Sequence, residues 1–116
     1  MKKLNLTMTI SGFIGILLAM CLTACAGTVV LEWDAYTDTA DGFNIYISST
    51  SPVQVVTANK LATVTPSSQT IVTIEKVPNG MKYFVATAFQ GEYESLPSNE
   101  VSGVVTPNKV LNLRAK

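Results

Sequence analysis

The chain has 116 residues, 47% of them apolar, with eight basic and eight acidic side chains and no histidine. Without histidine, the commonest general base, the usual Ser–His and Cys–His nucleophile pairs and the usual zinc ligand are all missing. Balanced charge with no clustered basic face excludes a nucleic-acid footprint.

Taken in order, Met1-Lys2-Lys3 is a short positive region, and an apolar run from Ile10 to Leu22 follows, interrupted by Ser11, Gly12 and Gly15. It closes on the small residues Thr23 and Ala24. Positive end, short apolar middle and small-residue exit are the layout of a secretory signal. It is expected as a helix that enters the bilayer while the lysines stay on the cytoplasmic side. The run falls short of the ~20 residues a spanning helix needs, which argues against an uncleaved anchor.

Leu22-Thr23-Ala24-Cys25 resembles the bacterial lipobox, a leucine, a small residue, alanine or glycine, then cysteine. The resemblance implies a diacylglycerol on the Cys25 sulfur, cleavage before it, and usually an acyl chain on the new N-terminus. Several chains at one site give the anchoring that a single chain does not. The other reading, Cys25 as an ordinary buried cysteine, is disfavoured because a signal flanks it on one side. Ala26 follows, rather than the aspartate that tends to hold lipoproteins in the inner membrane. The resemblance therefore points to the outer membrane in a bacterium that has one.

Residues 25–116 would remain, with six basic against eight acidic side chains and hence a net charge of −2. That is one small domain. Cys21 leaves with the signal and Cys25 carries lipid, so no disulfide is expected and stability must rest on an apolar core.

Thr28-Val29-Val30-Leu31-Glu32-Trp33 is β-branched and aromatic and reads as a strand with Val29, Leu31 and Trp33 on one face. The sole tryptophan is expected at the centre of the core. Asp34 to Gly42 is rich in turn formers and ends on the strong turn signal Asp41-Gly42. Phe43 to Ser48 is the next strand, with Phe43, Ile45 and Ile47 inward and Asn44 and Tyr46 outward. Ser49 to Pro52 turns, and Val53 to Thr57 is expected as a short edge strand. Leu61 to Val64 is a further short strand or irregular. Gln69 to Ile74 alternates, with Thr70, Val72 and Ile74 sharing a side. Val77 to Gly80 is a turn, Met81 to Gln90 the longest strand and Gly91 to Glu94 a hairpin-like loop. The last strand runs from about Asn99 to Val105. No helical period follows the signal, and strands with frequent turn signals between them argue for a β-sandwich.

The stretches Val29-Val30-Leu31-Glu32-Trp33-Asp34, Gly42-Phe43-Asn44-Ile45-Tyr46, Asn79 to Phe89 and Glu94-Ser95-Leu96-Pro97-Ser98-Asn99-Glu100-Val101 together resemble a bacterial fibronectin type III domain. The resemblance covers Thr28 to about Val105. It implies an all-β, immunoglobulin-like sandwich of about seven strands. It puts Trp33 on strand B between the sheets. Tyr83 would be the strand-F tyrosine whose hydroxyl ties back to backbone near the preceding turn, with Val77 its apolar partner. Two registers are open for that strand. One turns Tyr83, Val85, Thr87 and Phe89 inward, and the other Lys82, Phe84, Ala86 and Ala88. The first is preferred because it buries Phe89 rather than a charged lysine. The family's strand A usually lies several residues before strand B, yet here only Ala26 and Gly27 separate Cys25 from it. Residues 107–116 resemble the opening strand of a repeat. Either they fold back into the strand-A place and cover an open sheet edge, or they are the remnant of a second repeat.

Asp34, Asp38 and Asp41 share one loop, and oxygen ligands at such spacing can hold calcium. Turn formation is the better reading, since aspartates bond nearby backbone and the closing glutamate of a calcium loop is missing. Glu92, Tyr93 and Glu94 read as a solvated hairpin tip. No glycine-rich phosphate loop occurs. Tyr36, Tyr46 and Tyr93 are the candidate exposed aromatic contacts, since tyrosine gives contact area at low entropy cost; packing at the sandwich rim is the competing reading for each.

The expected organisation is a signal at 1–24, a lipidated N-terminus and short linker at 25–27, the sandwich at 28–106 and a tail at 107–116. The expected role is non-catalytic, with no cofactor beyond the lipid on Cys25. A module displayed at the bacterial cell envelope would bind an envelope protein or a glycan, and no nucleic acid. The alternatives are a structural accessory subunit of an envelope complex and a phage- or prophage-encoded exclusion lipoprotein. An enzyme is the least favoured reading.

Overall fold

A computed structural model describes residues 4–11 and 26–115. Cys25 and most of the apolar run before it lie outside the described residues. Eight strands occur among the described residues: β1 (Leu6–Ser11), β2 (Ala26–Trp33), β3 (Gly42–Ser48), β4 (Lys60–Val64), β5 (Ile71–Pro78), β6 (Gly80–Gln90), β7 (Tyr93–Glu94) and β8 (Val101–Val105). One antiparallel sheet has the order β1-β2-β5. The other has the order β4-β3-β6, with β7 and β8 sharing the far edge of β6. Apolar residues from both sheets meet in a single core, so the all-β sandwich expected from the sequence is the architecture.

The N-terminal segment expected as a helix is a strand over Leu6–Ser11. It pairs antiparallel with β2, Leu6 opposite Trp33 and Ser11 opposite Thr28. The physical reason lies in the residues. From Leu4 to Ser11, apolar and polar side chains alternate without a miss, which is the period of a half-buried strand. Leu4 and Leu6 are 1% and 3% exposed, inside the core, while Asn5 and Thr7 face water. The sheet position beside β2, opposite β5, is thus filled by β1. The tail, which one of the two readings folds back to that position, forms no strand over residues 107–115.

Val29, Leu31 and Trp33 of β2 are buried as expected. Trp33 meets Phe43 edge-on, at 5.1 Å between ring centroids, and its indole N–H donates to the Gln69 carbonyl at 3.1 Å. On β5, Val72 and Ile74 pack on the core, and Val77 is fully buried three residues later. Strict alternation forbids that spacing. An extra residue resolves it, since Gly27–Val29 of β2 spans Val77–Ile74 of β5. Lys76, with φ of 59°, absorbs the bulge.

Two expectations for the second sheet are corrected. Val53 to Thr57 is not an edge strand; the segment is irregular and plants Val53 on the outer face of the sheet. On β6 the register is the other one: Phe84, Ala86 and Ala88 point into the sandwich, and Tyr83, Val85 and Thr87 point outward. Two facts decide this. Ala88 and Ala86 stand opposite Phe43 and Ile45, so small residues make room for large ones. Lys82 lies near the strand's beginning, where its stem packs and its ammonium escapes to donate to Ser49 Oγ at 2.7 Å. Tyr83 consequently joins the outer cluster with Tyr46, Val53 and Val85, and Val77 belongs to the inner core instead of partnering it.

Candidate functional site

The outer face of the β3–β6 sheet is unusual because it is covered. Tyr46 and Thr87 both point outward, yet they are 3% and 0% exposed. The tight β6–β7 hairpin, with Gly91 at φ of 59°, folds Glu94 back over them. The Tyr46 hydroxyl donates to the Glu94 carboxylate at 2.8 and 2.9 Å, and the Thr87 hydroxyl donates to the same group. Asn44 Oδ1 accepts from Thr63 Oγ1 at 2.9 Å beside them. Burial raises the Glu94 pKa, but hydrogen bonds from Thr87, Tyr46 and Asn44 and the charge of Lys60 outweigh it and hold the carboxyl below its usual range. The Tyr46 phenol is pushed up to about 12 by burial and then by its bond to that carboxylate.

The segment after the hairpin carries the densest side-chain bonding. Ser95 and Ser98 stand in for a strand across Leu96-Pro97. Ala88 N–H donates to Ser95 Oγ and Ala86 N–H to Ser98 Oγ, both at 2.9 Å. The Ser95 and Ser98 N–H groups return bonds of 2.8 Å to the carbonyls of Ala88 and Ala86. Asn99 grips β1, accepting from Leu6 N–H at 2.7 Å and donating to the Leu6 carbonyl at 2.9 Å. Glu100 holds the covering loop, accepting from Val53 N–H at 2.8 Å and from the Ser51 hydroxyl. The run Ser95 to Glu100 therefore ties the edge of one sheet, the first strand of the other and the loop over the outer face.

The expected contact residues separate. Tyr93 is 79% exposed at the hairpin tip, close in sequence to Leu96 at 71%. Tyr36 is half-buried and edge-on to Phe43 at 5.8 Å, a packing role at the rim. Tyr46 is buried and bonded, so it is withdrawn from the contact set. Asp34 accepts from Asn5 Nδ2 at 3.2 Å, Asp38 from Thr39 N–H at 2.9 Å and Asp41 from Gly91 N–H at 2.8 Å. The three aspartates thus hold neighbouring chain rather than one another, and among the described residues no three metal-ligating groups converge. An open groove of about 420 Å³ lies at one end of the sandwich, lined by Ile47, Ser49, Asn59, Lys60, Pro78 and Lys82.

No helix among the described residues is long and apolar enough to cross a membrane. Compared with models of known protein families and with curated proteins, the chain finds no match.

Proposed function

We propose that the chain is a bacterial lipoprotein whose segment 1–24 directs export and whose Cys25 carries the lipid. The sandwich is then a non-catalytic, fibronectin type III-like interaction module held at the cell envelope, on the outer membrane where the bacterium has one. The observation that carries this reading is Leu22-Thr23-Ala24-Cys25 after a short apolar run. Its support in the fold is that β2 begins at Ala26, so the anchor residue directly precedes a core strand. Two antiparallel sheets with β2 in one and β6 in the other support the reading, although the outward Tyr83 departs from the resemblance. The contact surface is the hairpin tip with Tyr93 and Leu96, the largest exposed apolar residues of that edge. Labelling with a palmitate analogue tests the anchor: label on the wild-type chain that vanishes in Cys25→Ala supports it, and equal labelling of both removes it.

A second reading has its own observation. Cleavage before Cys25 takes β1 away, and with it Leu4 and Leu6. Two fully buried leucines contribute about 3–6 kcal/mol together, against a total stability of about 5–15 kcal/mol for a domain. On the second reading the chain stays whole, β1 remains strand A, and the protein serves as a structural subunit of an envelope complex.

A further inference from the structure

Resting on the cleavage reading, we propose that residues 107–115 are a replacement strand. When the segment before Cys25 is cut away, they take the place of β1 beside β2 and run parallel to it.

The fold delivers the segment to the right point. Strand β8 ends against the first residues of β2, so close that a side chain on Gly27 would collide with the Thr106 carbonyl. Asn108 Nδ2 then donates to Thr28 Oγ1 at 3.4 Å, at the level where Ser11 of β1 pairs. Asn108 Oδ1 is buried there without a hydrogen-bond partner, so the segment's present arrangement leaves an acceptor unmet. From Thr28 to Trp33 the chain advances as many residues as from Asn108 to Leu113. Extending the segment from its existing contact therefore sets Leu111 beside Leu31 and Leu113 beside Trp33. Alternation puts both leucines on the core face and Val110 and Asn112 on the other.

Leu113 then stands opposite Trp33, where Leu6 stands in the full chain. Leu113 is now 87% exposed, so its move onto the core face removes apolar surface from water. Lys109 falls beside the buried Val29, on the core side by the same alternation, so its stem must run along the strand edge for its ammonium to reach water. The edge also offers donors. Trp33 N–H bonds Thr70 on the β5 side and Asp34 N–H bonds Asn5 on the β1 side. Donors alternate along a strand, so the N–H groups of Thr28, Val30 and Glu32 point to the place β1 leaves. In the uncut chain β1 holds that place and keeps the segment out; after cleavage the segment closes it.

Amide hydrogen exchange tests this. The processed chain is isolated from membranes in detergent, and its mass fixes where it starts; Cys25→Ala supplies the unprocessed chain. Val30 and Glu32 are expected to exchange slowly in both. Leu113→Asp is expected to accelerate them on the order of 100-fold in the processed chain alone, and the milder Leu113→Ala to do so in part should the aspartate variant fail to accumulate. Fast exchange at Val30 and Glu32 in the unaltered processed chain overturns the proposal. So does slow exchange that survives both substitutions, or that appears only at high protein concentration, which would mean a strand from a second copy. A membrane-bound chain that still begins at Met1 removes the cleavage reading and the vacancy with it, and the mass separates that failure from the others.

Discussion

The Glu94 carboxylate accepts from the hydroxyls of Tyr46 and Thr87 and thereby latches the β6–β7 hairpin over the outer sheet face. Its pKa in the folded chain lies below the ordinary value of 4.5. The stability it lends is therefore complete above about pH 4.5 and is lost as the pH falls through that value toward the lower, folded one. Glu94 is itself largely exposed, so water screens part of the effect. Glu94→Gln is expected to lower stability by about 1 kcal/mol at neutral pH and to flatten the acid limb of a urea-midpoint profile as the pH falls through 4.5. An acid limb as steep in the variant as in the wild type would place the acid sensitivity elsewhere. Tyr46 has the opposite sign, since its pKa is raised to about 12. Its contribution is complete below the phenol's usual pH and is lost as the pH climbs through the folded value.

At the scale of the element, the interrupted edge of the second sheet makes the sharpest prediction. Ser98→Ala leaves the buried Ala86 N–H without its acceptor and is expected to destabilise by about 1–3 kcal/mol in chemical unfolding. Ser102→Ala, at an exposed position of β8, should stay within about 0.5 kcal/mol. Such stitches are hard to read from a sequence, because Ser95 to Glu100 looks like a loop and its side chains bond partners far along the chain. Period-two alternation of apolar and polar residues was legible, and it yields β2 and most of β3 and β5. It fails where neighbouring positions are both apolar: Phe84 to Ala88 is buried at every position and only Thr87 among them is polar, so parity is obscured and the charge on Lys82 misdirects the register. Leu4 to Ser11 alternates cleanly, but the same residues also read as the opening of a signal, and that second pattern masked the strand.

At the scale of the whole molecule, one N-terminal stretch answers to two demands. Leu4 and Leu6 fill the core of the uncut chain, and on the proposed reading the residues that follow serve as an export signal ending at Leu22-Thr23-Ala24-Cys25. The candidate contact surface lies elsewhere, at the hairpin tip with Tyr93 and Leu96, so anchoring and contact use different parts of the fold. The central claim is that the chain is cut before Cys25 and lipidated there. The intact mass of the protein extracted from membranes tests it most directly. The account predicts a polypeptide beginning at Cys25 and heavier than its sequence by a diacylglycerol and an acyl chain. A mass equal to the unmodified chain from Met1, or to a chain from Cys25 without lipid, would contradict it.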